Sequence, residues 1–179
     1  PLVVDPVLSA SSGTDFGSPE TVEAYVTELL PTALVTTPNL PEALRLLGEG
    51  YDSGSEEPCP SEIAKQLSDL LGISVLLTGG HSVSEEVVTD TLHHNGTVLE
   101  FTHSWIDLPS SHGTGCTYSA AITGLLAQGY GLKEAIPKAQ SLMDHVLRNS
   151  YQWPSGNGTP EIRALNQLPP DLGTFHQGA

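Results

Sequence analysis

Three short apolar runs, Leu2–Val4, Ala33–Val35 and Ile73–Leu77, each stand beside a segment of helical periodicity. That alternation limits the fold more than any other feature of the chain. Strands apolar on both faces need cover on both faces, and intervening helices supply it in parallel sheets. The expected class is α/β, with a mostly parallel central sheet. Val87–Leu92 and Thr97–Phe101 flank His94-Asn95-Gly96, and the Asn-Gly pair predicts one tight antiparallel hairpin at an edge.

The helices carry readable start and stop signals. Ser18-Pro19 predicts a capped start, with Val22, Tyr25, Val26 and Leu29 on one face and Pro31 after the end. Thr37-Pro38-Asn39 leads into a helix over Leu40–Leu47, closed by Gly48. Ser61 is the expected cap of a helix burying Ile63, Ala64, Leu67, Leu70 and Leu71 and ending at Gly72. A long Ala- and Leu-rich helix is expected from Cys116 to about Gln128. Another is expected over Lys133–Ser150, with Ala135, Ile136, Ala139, Leu142, Met143, Val146 and Leu147 as its stripe. Residues 48–60 read as a flexible loop, and 152–179 as an irregular tail with a helical turn at Glu161–Leu165. The whole of 1–179 reads as a single domain.

Charge narrows the function. The 179 residues hold 6 Lys+Arg against 21 Asp+Glu, a net of −15. Residues 1–100 carry 16 acids against Arg45 and Lys65, whereas 101–179 carry 5 against four bases. Such a surface repels nucleic acid and anionic membrane, so neither is an expected partner. A phosphate here must be held by backbone N–H groups or a metal, because basic side chains are scarce. Cys59 and Cys116 make no disulfide framework; free thiols imply a reducing, cytoplasmic setting. The chain opens inside an apolar run, which points to a truncated or processed chain, or one piece of an assembly.

Several residues can carry chemistry. Gly113-Thr114-Gly115-Cys116 precedes a helix, whose first-turn N–H groups can hold an anion and lower the pKa of Cys116. The same residues also fit a Gly-rich turn with a small buried Cys filling space. Asp5 at a strand end fits an active-site carboxylate, and equally a turn-forming Asp before Pro6. Asn39 and Glu42 can face one way and suit Mg²⁺, or else form a capping box. Thr78-Gly79-Gly80-His81 can line a phosphate site or make an ordinary tight loop. The histidines lack a zinc spacing.

Taken together, several stretches resemble the hydroxymethylpyrimidine/phosphomethylpyrimidine kinases of thiamine biosynthesis, within the ribokinase-like superfamily. They are Val4-Asp5-Pro6-Val7 with Ser12-Gly13, Leu30-Pro31, and Thr36-Thr37-Pro38-Asn39-Leu40-Pro41-Glu42-Ala43. They continue with Val75–His81, Asp90 and His112–Ile122, so the ordered match runs through roughly residues 1–150. The resemblance implies a three-layer αβα sandwich, ATP and Mg²⁺, and phosphoryl transfer to hydroxymethylpyrimidine and then to its monophosphate. It implies that Gly113, Thr114, Gly115 and Cys116 form the anion hole, with Cys116 beside the substrate hydroxyl. It assigns Asn39 and Glu42 to the metal, and Asp5, Thr37, Thr78, Gly80 and His81 to the nucleotide side.

Two departures stand out against this family. Thr78 replaces the usual Lys, and the family's N-terminal portion, with most of the pyrimidine-binding residues, has no counterpart. The implied partners are the small-molecule substrate and either that N-terminal portion or a second copy of the chain. Cys116 sits where sugar kinases and many pyridoxal kinases carry Asp. The alternatives are a Cys-type pyridoxal kinase and a catalytically impaired domain kept for binding or assembly.

Overall fold

The computed structural model describes residues 1–10, 13–48, 59–79, 87–106, 113–153 and 162–167. They fall into two compact units, Pro1–Trp105 and Ile106–Ala179. The first unit holds a five-stranded sheet in the order β1 (Val3–Val4), β2 (Val35–Thr36), β3 (Ser74–Leu77), β4 (Val87–His94) and β5 (Thr97–Ser104). β1, β2 and β3 are parallel, in register Val3↔Val35 and Val35↔Ser74. β4 and β5 are antiparallel to their neighbours, so the sheet is mixed. Asn95 (φ 50°) and Gly96 (φ 72°) both take positive φ, the conformation a two-residue hairpin of this twist requires.

The helices of this unit are α1 (Pro19–Ala24), α2 (Leu40–Leu47) and α3 (Pro60–Leu71). Ser18 caps α1 by accepting the Thr21 N–H. The expected stop at Pro31 gives way to a π-helical segment, Tyr25–Leu29, and a 3₁₀ turn, Leu30–Thr32. Pro31 sits early in that last turn, where its missing N–H goes unused. α2 has the expected bounds, with Gly48 as its C-cap. α3 starts two residues earlier than a Ser61 cap predicts, because Pro60 suits the first helical position; Cys59 holds the N-cap position without a side-chain capping bond.

Ile63, Ala64, Leu67 and Leu71 of α3 meet Ala43 and Leu46 of α2 and Val75 and Leu77 of β3 in one core. Each fully buried Leu or Ile there contributes about 1.5–3 kcal/mol. All four residues of β3 are buried. Leu70, expected in this core, is exposed, because it lies off the stripe that Ile63, Leu67 and Leu71 define.

The second unit contains α4 (Thr114–Ala127) and α5 (Leu132–Arg148), packed on one another. α5 buries Leu132, Ala135, Ile136, Ala139, Met143 and Val146; Leu142 and Leu147, expected with them, are half-buried. β6 (Tyr151–Trp153) and β7 (Ile162–Ala164) form a two-stranded antiparallel ribbon. The helical turn expected at Glu161–Leu165 is thus a strand. Tyr, Trp and Ile favour a paired, extended backbone over a single isolated helical turn. Most of the loop expected over 48–60 lies outside the described residues, as do Gly80 and His81.

Candidate functional site

Parallel pairing carries β1, β2 and β3 to one edge, and their carboxyl ends deliver the candidate residues of the first unit. Asp5 follows β1, Thr37 and Asn39 follow β2, and Thr78 follows β3. Backbone bonds join these exits. The Thr37 N–H donates to the Val4 carbonyl at 3.1 Å, and the Thr78 N–H to the Pro38 carbonyl at 2.9 Å. The Thr37 hydroxyl donates to Asp5 Oδ1 at 3.4 Å. Asp5, Thr37, Asn39, Glu42 and Thr78 therefore belong to one constellation, at the edge where α/β sheets bind ligands.

Asn39 and Glu42 form a full capping box. Asn39 Oδ1 accepts the Glu42 N–H at 2.9 Å, and Glu42 Oε2 accepts the Asn39 N–H at 3.0 Å. The box holds a carboxylate that is only 7% exposed. Burial raises the Glu42 pKa above its usual 4.5; the Asp5 charge adds to the rise, and hydrogen bonds from the Asn39 and Leu8 backbone oppose it. A desolvated carboxylate under the influence of a second one favours a cation. Among the described residues, no group of three or more His, Cys, Asp or Glu is placed to hold a metal. Two carboxylates completed by water and phosphate oxygens suit Mg²⁺.

In the second unit, Gly113 precedes α4 in the left-handed region (φ 82°, ψ 15°), and no side chain caps the helix. The helical ladder begins with Thr117 N–H donating to the Gly113 carbonyl at 2.9 Å. The amides of Thr114 and Gly115 precede that bond and point out of the helix end, where the dipole favours an anion. No acidic residue lies in the first turn. Cys116 is exposed and fills no core position. A cleft of about 350 Å³ lies here, lined by Gly113, Cys116, Thr117, Ala120, Leu142 and Gln167 among others.

Gln167 escaped the sequence reading, and Asp90 was read there without its partner. Gln167 Nε2 donates to Thr117 Oγ1 at 2.8 Å, a pairing across 50 residues with no local signal. Asp90 Oδ1 accepts the Gly79 N–H at 2.8 Å. A carboxylate in the middle of a strand was visible, but its partner was not. Among the described residues, no helix is long and apolar enough to cross a membrane.

The family model described as phosphomethylpyrimidine kinase matches residues 1–161. A hydroxymethylpyrimidine/phosphomethylpyrimidine kinase from Rhizobium meliloti is 37% identical over 168 residues, covering 92% of this chain and 61% of that protein. A pyridoxine kinase from Bacillus subtilis is 35% identical over 150 residues, 84% of this chain and 55% of that protein. Among solved structures, an ADP complex of Bacillus subtilis pyridoxal kinase aligns with a TM-score of 0.71 at 34% identity. That alignment covers 90% of this chain and 57% of the other. The chain spans less than two thirds of the length of each of these relatives.

Proposed function

The chain belongs to the phosphomethylpyrimidine kinase family, with its ribokinase-like α/β fold, and from that premise we propose ATP-dependent phosphorylation of hydroxymethylpyrimidine and its monophosphate. The observation that carries the reading is the uncapped start of α4, with Cys116 on its first turn. The Thr114 and Gly115 amides receive the negative charge of the phosphoryl group in transit, as preorganised donors do. Cys116 lies beside the substrate hydroxyl and positions it or takes its proton. Asp5, Thr37 and Thr78, with Gly80 and His81, serve the nucleotide. The chain acts together with the N-terminal portion its relatives possess, or with a second copy, in the cytoplasm.

Asn39 and Glu42, with Asp5, hold the Mg²⁺ that accompanies ATP. When bound, the ion offsets phosphate charge, which matters in a chain of net charge −15. Glu42→Gln tests this assignment. Gln keeps an acceptor for the Asn39 N–H but carries no charge. Because the folded pKa of Glu42 is raised, its contribution to stability is greatest near or below the ordinary value of 4.5 and falls as pH rises through the folded value. The variant lacks that loss, so at neutral pH without metal it melts at or above the wild type. Millimolar Mg²⁺ raises the wild-type melting temperature by about 2–4 °C and leaves the variant unchanged. Equal shifts in both proteins exclude Glu42 as a ligand.

Coupled ADP release from the full translated product, with hydroxymethylpyrimidine against pyridoxal, tests the reaction. The expected result is Mg²⁺-dependent release at least about tenfold faster with the pyrimidine, within the discrimination a shaped pocket achieves. A preference for pyridoxal supports the second reading, which the pyridoxine and pyridoxal kinase relatives favour. No release with either supports a binding or assembly role, in keeping with Thr78 in place of Lys.

A further inference from the structure

Asp90 is 2% exposed in the interior of β4, a costly place for a carboxylate without a bound partner. Its Oδ1 takes the Gly79 N–H at 2.8 Å, just beyond the last β3–β4 ladder pair, Leu77↔Thr91. Its Oδ2 stands 3.8 Å from His103 Nε2 on β5. A Cβ on Gly79 would meet the Thr89 carbonyl oxygen at 2.5 Å, so the turn is pressed against β4 as well as bonded to it. The adjoining Thr78 N–H reaches the Pro38 carbonyl at 2.9 Å, one residue before Asn39. A continuous line of bonds thus runs from Asp90 through Gly79 and Thr78 to the Asn39–Glu42 box.

We infer that Asp90 is a positioning residue, which aims the exit of β3 at the bound nucleotide and couples it to the Asn39–Glu42 pair. A parallel strand leaving a sheet has no ladder partner for its next N–H, and a glycine at that point does not hold its own direction. The buried carboxylate supplies the missing acceptor with a charge-assisted bond. The inference rests on the nucleotide assignment of this edge proposed above.

The test uses Asp90→Ala and Asp90→Asn in the full chain, with a fluorescent ADP analogue and amide hydrogen exchange. Asp90→Ala is expected to weaken ADP binding about tenfold and to speed exchange at Gly79 at least tenfold, while Leu76 and Leu77 keep their protection. Asp90→Asn, which retains an oxygen acceptor, is expected to stay within about threefold of wild type in both measurements. General destabilisation would move all three amides together and overturn the inference, as would wild-type ADP affinity in Asp90→Ala. If that variant does not fold, Asp90→Ser, with an acceptor too short to reach Gly79, replaces it under the same criteria. A wild-type chain that does not bind the ADP analogue removes the nucleotide assignment, and the positioning role with it. That outcome is distinct from normal binding that ignores Asp90.

Discussion

Replacing Cys116 with alanine is expected to lower phosphoryl transfer at least about a hundredfold while leaving nucleotide affinity within about threefold. The two effects separate because they arise from different atoms. The proposed anion site at the start of α4 uses backbone amides, and alanine presents the same amides from the same turn. The sulfur is the only group removed, and the proposed function gives it the substrate hydroxyl to orient or deprotonate. Cys116 is exposed, so its loss opens no cavity, and stability changes by no more than about 0.5 kcal/mol. Coupled ADP release gives the rate, and titration with a fluorescent nucleotide gives the affinity. Turnover within threefold of wild type would sink the role of Cys116. A parallel collapse of nucleotide affinity would mean that the side chain shapes the anion hole itself.

The acidic composition gives this prediction its edge. With Arg45 and Lys65 as the only bases in residues 1–100, the chain has little cationic side-chain chemistry to compensate for lost positioning. Arg45 is already engaged: it pairs with Asp15 at 2.9 Å and donates to the Gly17 carbonyl. Lys65 pairs with Asp69 one helical turn along α3. On the proposed reading, transfer relies on fixed backbone dipoles and a metal, both of which act only in a held geometry.

What could be read from the sequence was local. α2 was legible end to end, because Asn39, Pro41 and Glu42 start it and Gly48 stops it within one stretch of chain. The hairpin was legible because Asn95-Gly96 needs no distant partner to choose its conformation. β7 was misread as a helical turn, since its state depends on pairing with β6. Ser61 was misread as a cap because the preference of Pro60 for the first helical turn outweighed it. At the candidate site, the strand-end positions of Asp5, Thr37 and Thr78 followed from the order of strands and helices. The bond from Gly79 to Asp90 did not, because it depends on the β3–β4 register. Gln167 reached Thr117 by the same kind of distant pairing.

Gly79→Ala is expected to be the most damaging single-methyl change at this edge, costing about 2–4 kcal/mol. The reason is space, not conformation, since Gly79 has no positive φ. Its added Cβ would lie 2.5 Å from the Thr89 carbonyl oxygen and 2.7 Å from Val88 Cγ1. Backbone cannot rotate aside as a flexible side chain can, so β4 must shift away from the end of β3. That shift also stretches the 2.8 Å bond to Asp90, leaving a buried carboxylate poorly satisfied. Gly113 offers the contrast. A Cβ there meets nothing within 4 Å, but φ is +82°, so alanine pays only the left-handed penalty of about 1–2 kcal/mol. Urea unfolding of the two variants separates the mechanisms. The expected order is Gly79→Ala below Gly113→Ala below wild type in midpoint. Gly113→Ala as the less stable of the two would mean that the β3 exit yields to a methyl group, and that Asp90 does not hold it in place.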